Sequence, residues 1–367
     1  MKAERRHDID WLRVIAIGLL LLYHIAIIFQ PWAMFIGFIK SDTSLETLWT
    51  PMTMLNVWRI PLLFYVSGMG LYFAMRKRNG WQVLVERTKR ILLPFLFGIV
   101  AITPLHIVIF QKYYHMPLGY YSHQGHLWFL LNIFVYVLLL LPLFYYLKKH
   151  EAGKIKRALS SLLSHPGGPL LISLFFVFEV LLVNPQLFAL YAQTRHGFFN
   201  GFLAFFFGFL FAYSGKTVWQ TVLKWRWLYA GLAVILYGIR FVLFATEAPG
   251  YLMAIESNCW IFGVFGFGYK YLNKPGKTLS YLSQAAYPVY IIHMFVLYAG
   301  AVIILPLEIP ILLKFLCIVA FTGLACYLIY EFIIRRVYFL WPFFGLKWKF
   351  NQGAKVKNLA EPTGSTN

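Results

Sequence analysis

Arg13 and His24 stand eleven residues apart, and only apolar residues, glycine and Tyr23 lie between them. On an α-helix, at about 100° per residue, this spacing brings both side chains to within about 20° of one face. His24 then lies roughly 16 Å along the axis from Arg13. Asp10 is an i,i+3 neighbour of Arg13 at the edge of the same stripe. A neutral imidazole is the natural general base near pH 7. Holding an ionisable group in an apolar helix is costly, which marks His24 as a functional candidate. The structural alternative is an interfacial Arg13–Asp10 pair with a hydrogen-bonded core histidine.

Arg87-Thr-Lys-Arg90, close to Arg76, Lys77 and Arg78, is the second constellation. Two arginines one turn apart can grip phosphate oxygens bidentately, a chemistry suited to a soluble polyanionic donor. The alternative is plain topological charge. His293, in Tyr287-Pro-Val-Tyr-Ile-Ile-His293, is roughly 15 Å into its own segment, the depth expected of His24. The two histidines either share a cavity or pack separately against carbonyls. The stretch from Lys112 to Phe129 is dense in aromatics and histidine. An interfacial aromatic belt accounts for its tyrosines. It accounts less well for His126 followed by Trp128, which together suit a carbohydrate. Arg59, Glu179, Arg240, Glu256 and Glu331 are charges in apolar surroundings and are expected to pair across helices. Arg59 or Arg240 is also placed to read a carboxylate. Glu331 has Arg335 four residues on. No metal-ligand spacing, phosphate-loop glycine pattern or nucleophile elbow occurs, and Cys259, Cys317 and Cys326 read as packing residues.

The elements that must position these residues follow from composition. The chain is 60% hydrophobic and only 13% charged, with 367 residues. A soluble domain could not hide that much apolar surface, so the reading is an all-α polytopic membrane protein. Ten apolar segments approach the length needed to cross about 30 Å of hydrocarbon. They are 11–31, 54–75, 91–110, 126–147, 169–190, 198–214, 227–245, 251–271, 283–304 and 311–334. Lysine and arginine gather in alternate connections, on the side of both termini. By the positive-inside rule this predicts ten transmembrane helices with both ends in the cytoplasm. The +20 net charge is then an orientation signal, favouring anionic lipid headgroups and anionic cytosolic ligands over nucleic acid. Residues 1–350 read as one transmembrane domain, and 351–367 as a polar, disordered cytoplasmic tail. Gly201, Gly208, Gly263, Gly266 and Gly268 mark close helix contacts. Matched broken helices in two halves, the usual pointer to a transporter, are absent.

Arg13-x10-His24 in the first segment and Arg87-x-x-Arg90 beside the third resemble the two motifs of the acyltransferase 3 family of membrane acyltransferases. Further stretches are most similar to the glucan biosynthesis protein C branch, which succinylates periplasmic glucans. They are Phe64-Tyr-Val-Ser-Gly68, Val85 to Arg90, His126-Leu-Trp-Phe-Leu130, Tyr287 to His293, and Tyr330-Glu331 with the basic-aromatic tail. The resemblance implies O-acyl transfer across a bacterial inner membrane, from a cytosolic acyl-CoA such as acetyl- or succinyl-CoA to an extracytoplasmic glycan hydroxyl. Under it, Arg13, Arg87 and Arg90 bind the donor. His24 is the catalytic base, with His293 and Asp10 assisting. His126, Trp128 and Arg59 meet the acceptor. No metal or permanently bound cofactor is implied. Direct transfer and a covalent acyl-histidine both remain open. The competing expectation is a glycan or lipid-linked sugar transporter without covalent chemistry.

Overall fold

The computed structural model describes residues 5–151, 153–245 and 248–347, which leaves the expected polar tail outside the described residues. Among them every regular element is helical. In chain order the helices are α1 His7–Ile28, α2 Trp49–Met75, α3 Gly80–Tyr113, α4 Trp128–Lys149, α5 Lys154–Leu162 and α6 Gly167–Val183. They continue as α7 Arg195–Tyr213, α8 Lys216–Lys224, α9 Arg226–Phe244, α10 Gly250–Tyr271, α11 Lys277–Ile304 and α12 Ile311–Ile334.

Each of the ten apolar segments falls on a helix. Among the described residues eight helices are long and apolar enough to cross a membrane, and α5 with α6, bent by 99°, makes a ninth if the pair is one span. Among the described residues α10 does not meet that standard, because it carries Glu256, Ser257, Asn258 and Lys270. The faces of α6, α9 and α12 leave large apolar side chains exposed, including Phe178, Leu182, Val242, Leu243, Leu312 and Leu324. Contiguous exposure of this kind fits contact with lipid, and the protein is an integral membrane protein.

α1 packs between α2 and α11, so its polar stripe faces the bundle. α2 packs most extensively on α7. That contact needs glycine: a Cβ on Gly68 would collide with the Phe205 carbonyl, and one on Gly208 with the Tyr65 carbonyl. Without a hydrophobic drive between helices in lipid, such close backbone approach is a main source of association.

α3 departs from expectation in starting at Gly80 rather than near residue 91. Asn79 and Gln82 form a reciprocal capping box, in which the Asn79 side chain accepts from Gln82 N at 2.8 Å. Arg87 and Arg90 therefore lie inside the helix, not at its entry. Two wide, π-type turns interrupt α3 at Thr88–Leu92 and Gly98–Ile102, and a third ends α12 at Ile329–Ile334. Wide turns of this kind recur at functional sites because they re-aim side chains and free carbonyls.

Candidate active site

Two clusters are strung along α1. At the end carrying the basic connection 76–79, Arg13 and Arg87 converge on Gly70 of α2. Arg87 Nη2 donates to the Gly70 carbonyl at 3.4 Å, and Arg13 Nη2 would stand 3.5 Å from a Cβ there. Arg90 lies within the wide turn at Thr88–Leu92. Arg90 pairs with Glu86 at 3.3 Å and donates to the Gly345 carbonyl at 3.3 Å, while Arg78 holds the other Glu86 oxygen at 3.0 Å. Gly345, at φ 64°, wedges the 3₁₀ segment Tyr338–Phe344 against Tyr287 and the Arg90 carbonyl. Arg87 Nε and the Tyr287 hydroxyl are buried and have no partner among the described residues. Buried donors without acceptors call for a missing acceptor. Among the described residues Arg5, Arg13, Arg78, Arg87 and Arg90 share the two carboxylates of Asp10 and Glu86, an excess that suits a polyanion.

Asp10 belongs to this cluster and does not reach His24. Its carboxylate pairs with Arg5 at 2.9 Å and with Arg13 at 3.4 Å, fourteen residues and about 21 Å of helix before His24. It orients Arg13.

His24 lies four residues before the far end of α1, Ile28. Its Nδ1 is 2.9 Å from Nε2 of His293 on α11, and the two rings are parallel, with an interplanar angle of 4°. His293 Nδ1 is 2.6 Å from the Tyr290 carbonyl, which can only accept. Nδ1 of His293 therefore carries the proton and its Nε2 is the acceptor. His24 must donate from Nδ1 to it, so His24 Nε2 bears the lone pair. That nitrogen makes no hydrogen bond to a described residue. One carbonyl-anchored imidazole, His293, thus fixes the other and leaves the His24 Nε2 lone pair without a protein partner among the described residues. This is the second-residue orientation that general-base histidines require.

His126 joins this group from the 3₁₀ turn before α4. Its ring meets His293 edge-on at 4.8 Å, its Nε2 donates to the Ile291 carbonyl at 3.1 Å, and its own carbonyl accepts from the Tyr290 hydroxyl. Trp128 is not beside it at the site. Its ring is 7% exposed and packs on Phe64 and Phe129 in the core, because α4 has begun and its next residues turn inward.

Arg59 of α2 is 2% exposed and stacks on Tyr23, 3.8 Å from the ring centre; Tyr23 in turn contacts the His24 ring. Its Nε and Nη1 have no partner, and no carboxylate pairs with it among the described residues. Two other buried charges are paired, Arg240 with Glu256 at 2.7 Å and His196 with Glu179 at 3.0 Å, while Glu331 pairs with the exposed Arg335 at 2.7 Å.

Sequence reasoning did not single out Tyr287, Tyr290 or His106. The signal for His106 was available, an ionisable residue within the apolar part of α3. Among the described residues no group of three or more His, Cys, Asp or Glu could hold a metal ion.

A family model described as an acyltransferase domain matches residues 6–331. No curated protein and no solved structure matches the chain.

Proposed function

The chain belongs to this acyltransferase family, and from that premise we propose that it moves an acyl group from a cytosolic acyl-CoA to a hydroxyl of an extracytoplasmic glycan. One observation carries the reading. A single helix, α1, holds Arg13 at one end in a cluster where arginines outnumber carboxylates. Toward its other end it holds an imidazole whose free nitrogen is fixed by His293. The two lie roughly 16 Å apart along the axis, a span that the pantetheine arm of a coenzyme A can bridge.

In this reading ten helices cross a bacterial inner membrane with both ends inside, as the alternating basic connections require. The phosphates bind Arg13, Arg87 and Arg90, with the Tyr287 hydroxyl as a further donor. The acceptor arrives from the opposite side. His24 Nε2 takes the proton of the acceptor hydroxyl as its oxygen attacks the thioester carbonyl carbon. When the carbon–sulfur bond breaks, His24 returns that proton to the departing thiolate. Arg59, a buried cation lacking a counter-charge, supplies the positive field for the oxyanion. It serves equally to hold the free carboxylate of a succinyl group, the acyl group of the glucan branch that the sequence most resembles. The family match does not favour transport without chemistry.

The test uses purified, detergent-solubilised protein. Acetyl- and succinyl-CoA binding is measured by calorimetry, and transfer to a gluco-oligosaccharide by mass spectrometry. His24→Ala should retain donor binding and lose transfer by about 10²–10⁴-fold, the usual worth of a general base. Full transfer by that variant would remove His24 from the chemistry.

A further inference from the structure

The far end of α3 brings two more histidines to the reacting pair. His106 and His123 meet edge-on at 5.7 Å, and His106 meets His126 at 6.1 Å. His126 contacts His293. Five imidazoles therefore run in contact from His24 to the connection between α3 and α4, which carries His123.

The connection is built to hold them. The second wide turn of α3 leaves carbonyls of Ile99 and Val100 open. Ser122 and Tyr120 hydroxyls donate to these at 2.9 Å each. Thr103 Oγ1 donates to the His123 carbonyl at 2.9 Å. Gly125, at φ 44°, turns the chain between His123 and His126, and the His106 ring meets both. A Cβ there would sit 3.0 Å from the His123 ring.

Three ring nitrogens of this cluster are buried without a partner among the described residues: His106 Nδ1, His123 Nε2 and His126 Nδ1. Because His126 Nε2–H is spent on the Ile291 carbonyl, His126 Nδ1 is a bare lone pair and can only accept. Burial holds the His123 imidazole below the ordinary histidine value, which keeps it neutral too. The ring spacing does not close a metal-ligand set. What the cluster lacks is a compact group of hydroxyls, each able both to donate and to accept.

We propose that His106, His123 and His126 form a polyol subsite beside the reacting pair, which grips the acceptor's neighbouring hydroxyls while the reacting hydroxyl lies on His24 Nε2. The proposal rests on the acyltransfer reading for the role of His24, but the subsite itself stands on the unpartnered nitrogens. It makes the enzyme selective for vicinally hydroxylated acceptors over simple alcohols.

The test compares methyl glucoside with cyclohexanol as acceptors for acetyl-CoA, in wild type, His106→Phe, His123→Phe and His106→Asn. Calorimetry of methyl glucoside without donor runs alongside. Wild type should prefer the glucoside. Each Phe variant should raise the glucoside KM about tenfold, the worth of a neutral hydrogen bond to substrate, with cyclohexanol transfer and acetyl-CoA binding unchanged. His106→Asn, which keeps donor and acceptor atoms, should recover part of the preference. Equal glucoside KM in all four proteins would overturn the subsite, as would parallel losses of glucoside, cyclohexanol and acetyl-CoA use. Glucoside binding that falls in the Phe variants while wild type transfers no acyl group would uphold the subsite and remove the acyltransfer reading.

Discussion

His24 Nδ1 and His293 Nε2 are 2.9 Å apart across 269 residues of sequence, and the Tyr290 carbonyl behind His293 decides which of the two gives the proton. Hydrogen-bond chemistry alone thus makes His24 the donor and His293 the acceptor, the arrangement the proposed base and its orienting partner would need.

Replacing His293 should therefore slow transfer without weakening the donor. His293→Ala frees His24 to take either tautomer and to turn. A fall in kcat of about 10²-fold is expected, within the range of general-base effects, with acyl-CoA binding unchanged. His293→Gln, whose amide oxygen can still accept from His24 Nδ1, should recover part of the rate. Steady-state kinetics at saturating donor check this; identical losses in both variants would reduce His293 to a packing role.

The pH profile should follow the same logic. His24 acts only when its Nε2 is unprotonated, so kcat/KM should rise with pH through the ionisation of the imidazole and then level. The acidic limb should be missing from whatever residual activity His24→Ala shows. An acidic limb that persists unchanged in His24→Ala would argue that another group carries the proton.

Arg87→Gln should weaken coenzyme A binding by about 10–100-fold, the worth of a hydrogen bond to a charged group. Arg87→Lys should restore it only in part, since a lysine cannot span two phosphate oxygens. Calorimetry with coenzyme A at low and high salt decides, and unchanged affinity would leave the arginine as a topological charge.

Gly68→Val tests the α2–α7 contact. Its side chain would have to displace the Phe205 backbone, and overpacking of this kind costs about 1–3 kcal/mol. The expected result is a lower unfolding midpoint in detergent, with His24 chemistry lost in proportion to unfolded protein.

Glu256→Ala removes the carboxylate that Arg240, 1% exposed, holds at 2.7 Å. Breaking a buried pair from one side costs about 3–5 kcal/mol. Thermal unfolding should show a much larger loss than for Glu331→Ala, whose partner Arg335 is exposed and whose pairing is screened.

The sequence by itself determined the membrane class, the helical segments and the two ends of the α1 stripe. Those features follow from hydropathy and the helical period, which are local. It also marked Arg87 and Arg90 as a phosphate cradle, His126 as an acceptor contact and His293 as a histidine at the depth of His24. Only the tertiary structure decided which of them meet. Asp10 went to Arg5 and Arg13, Trp128 to the Phe64 core, and Arg59 to Tyr23 with no counter-charge. Helix spacing places a residue on a face but does not say which helix that face meets. Side chains far apart in sequence are brought into contact by packing, here α1 against α11 and the α3–α4 connection against Ile291. The wide turns in α3, one holding Arg90 and the other offering the Ile99 and Val100 carbonyls to Ser122 and Tyr120, leave no mark in a period-3.6 pattern.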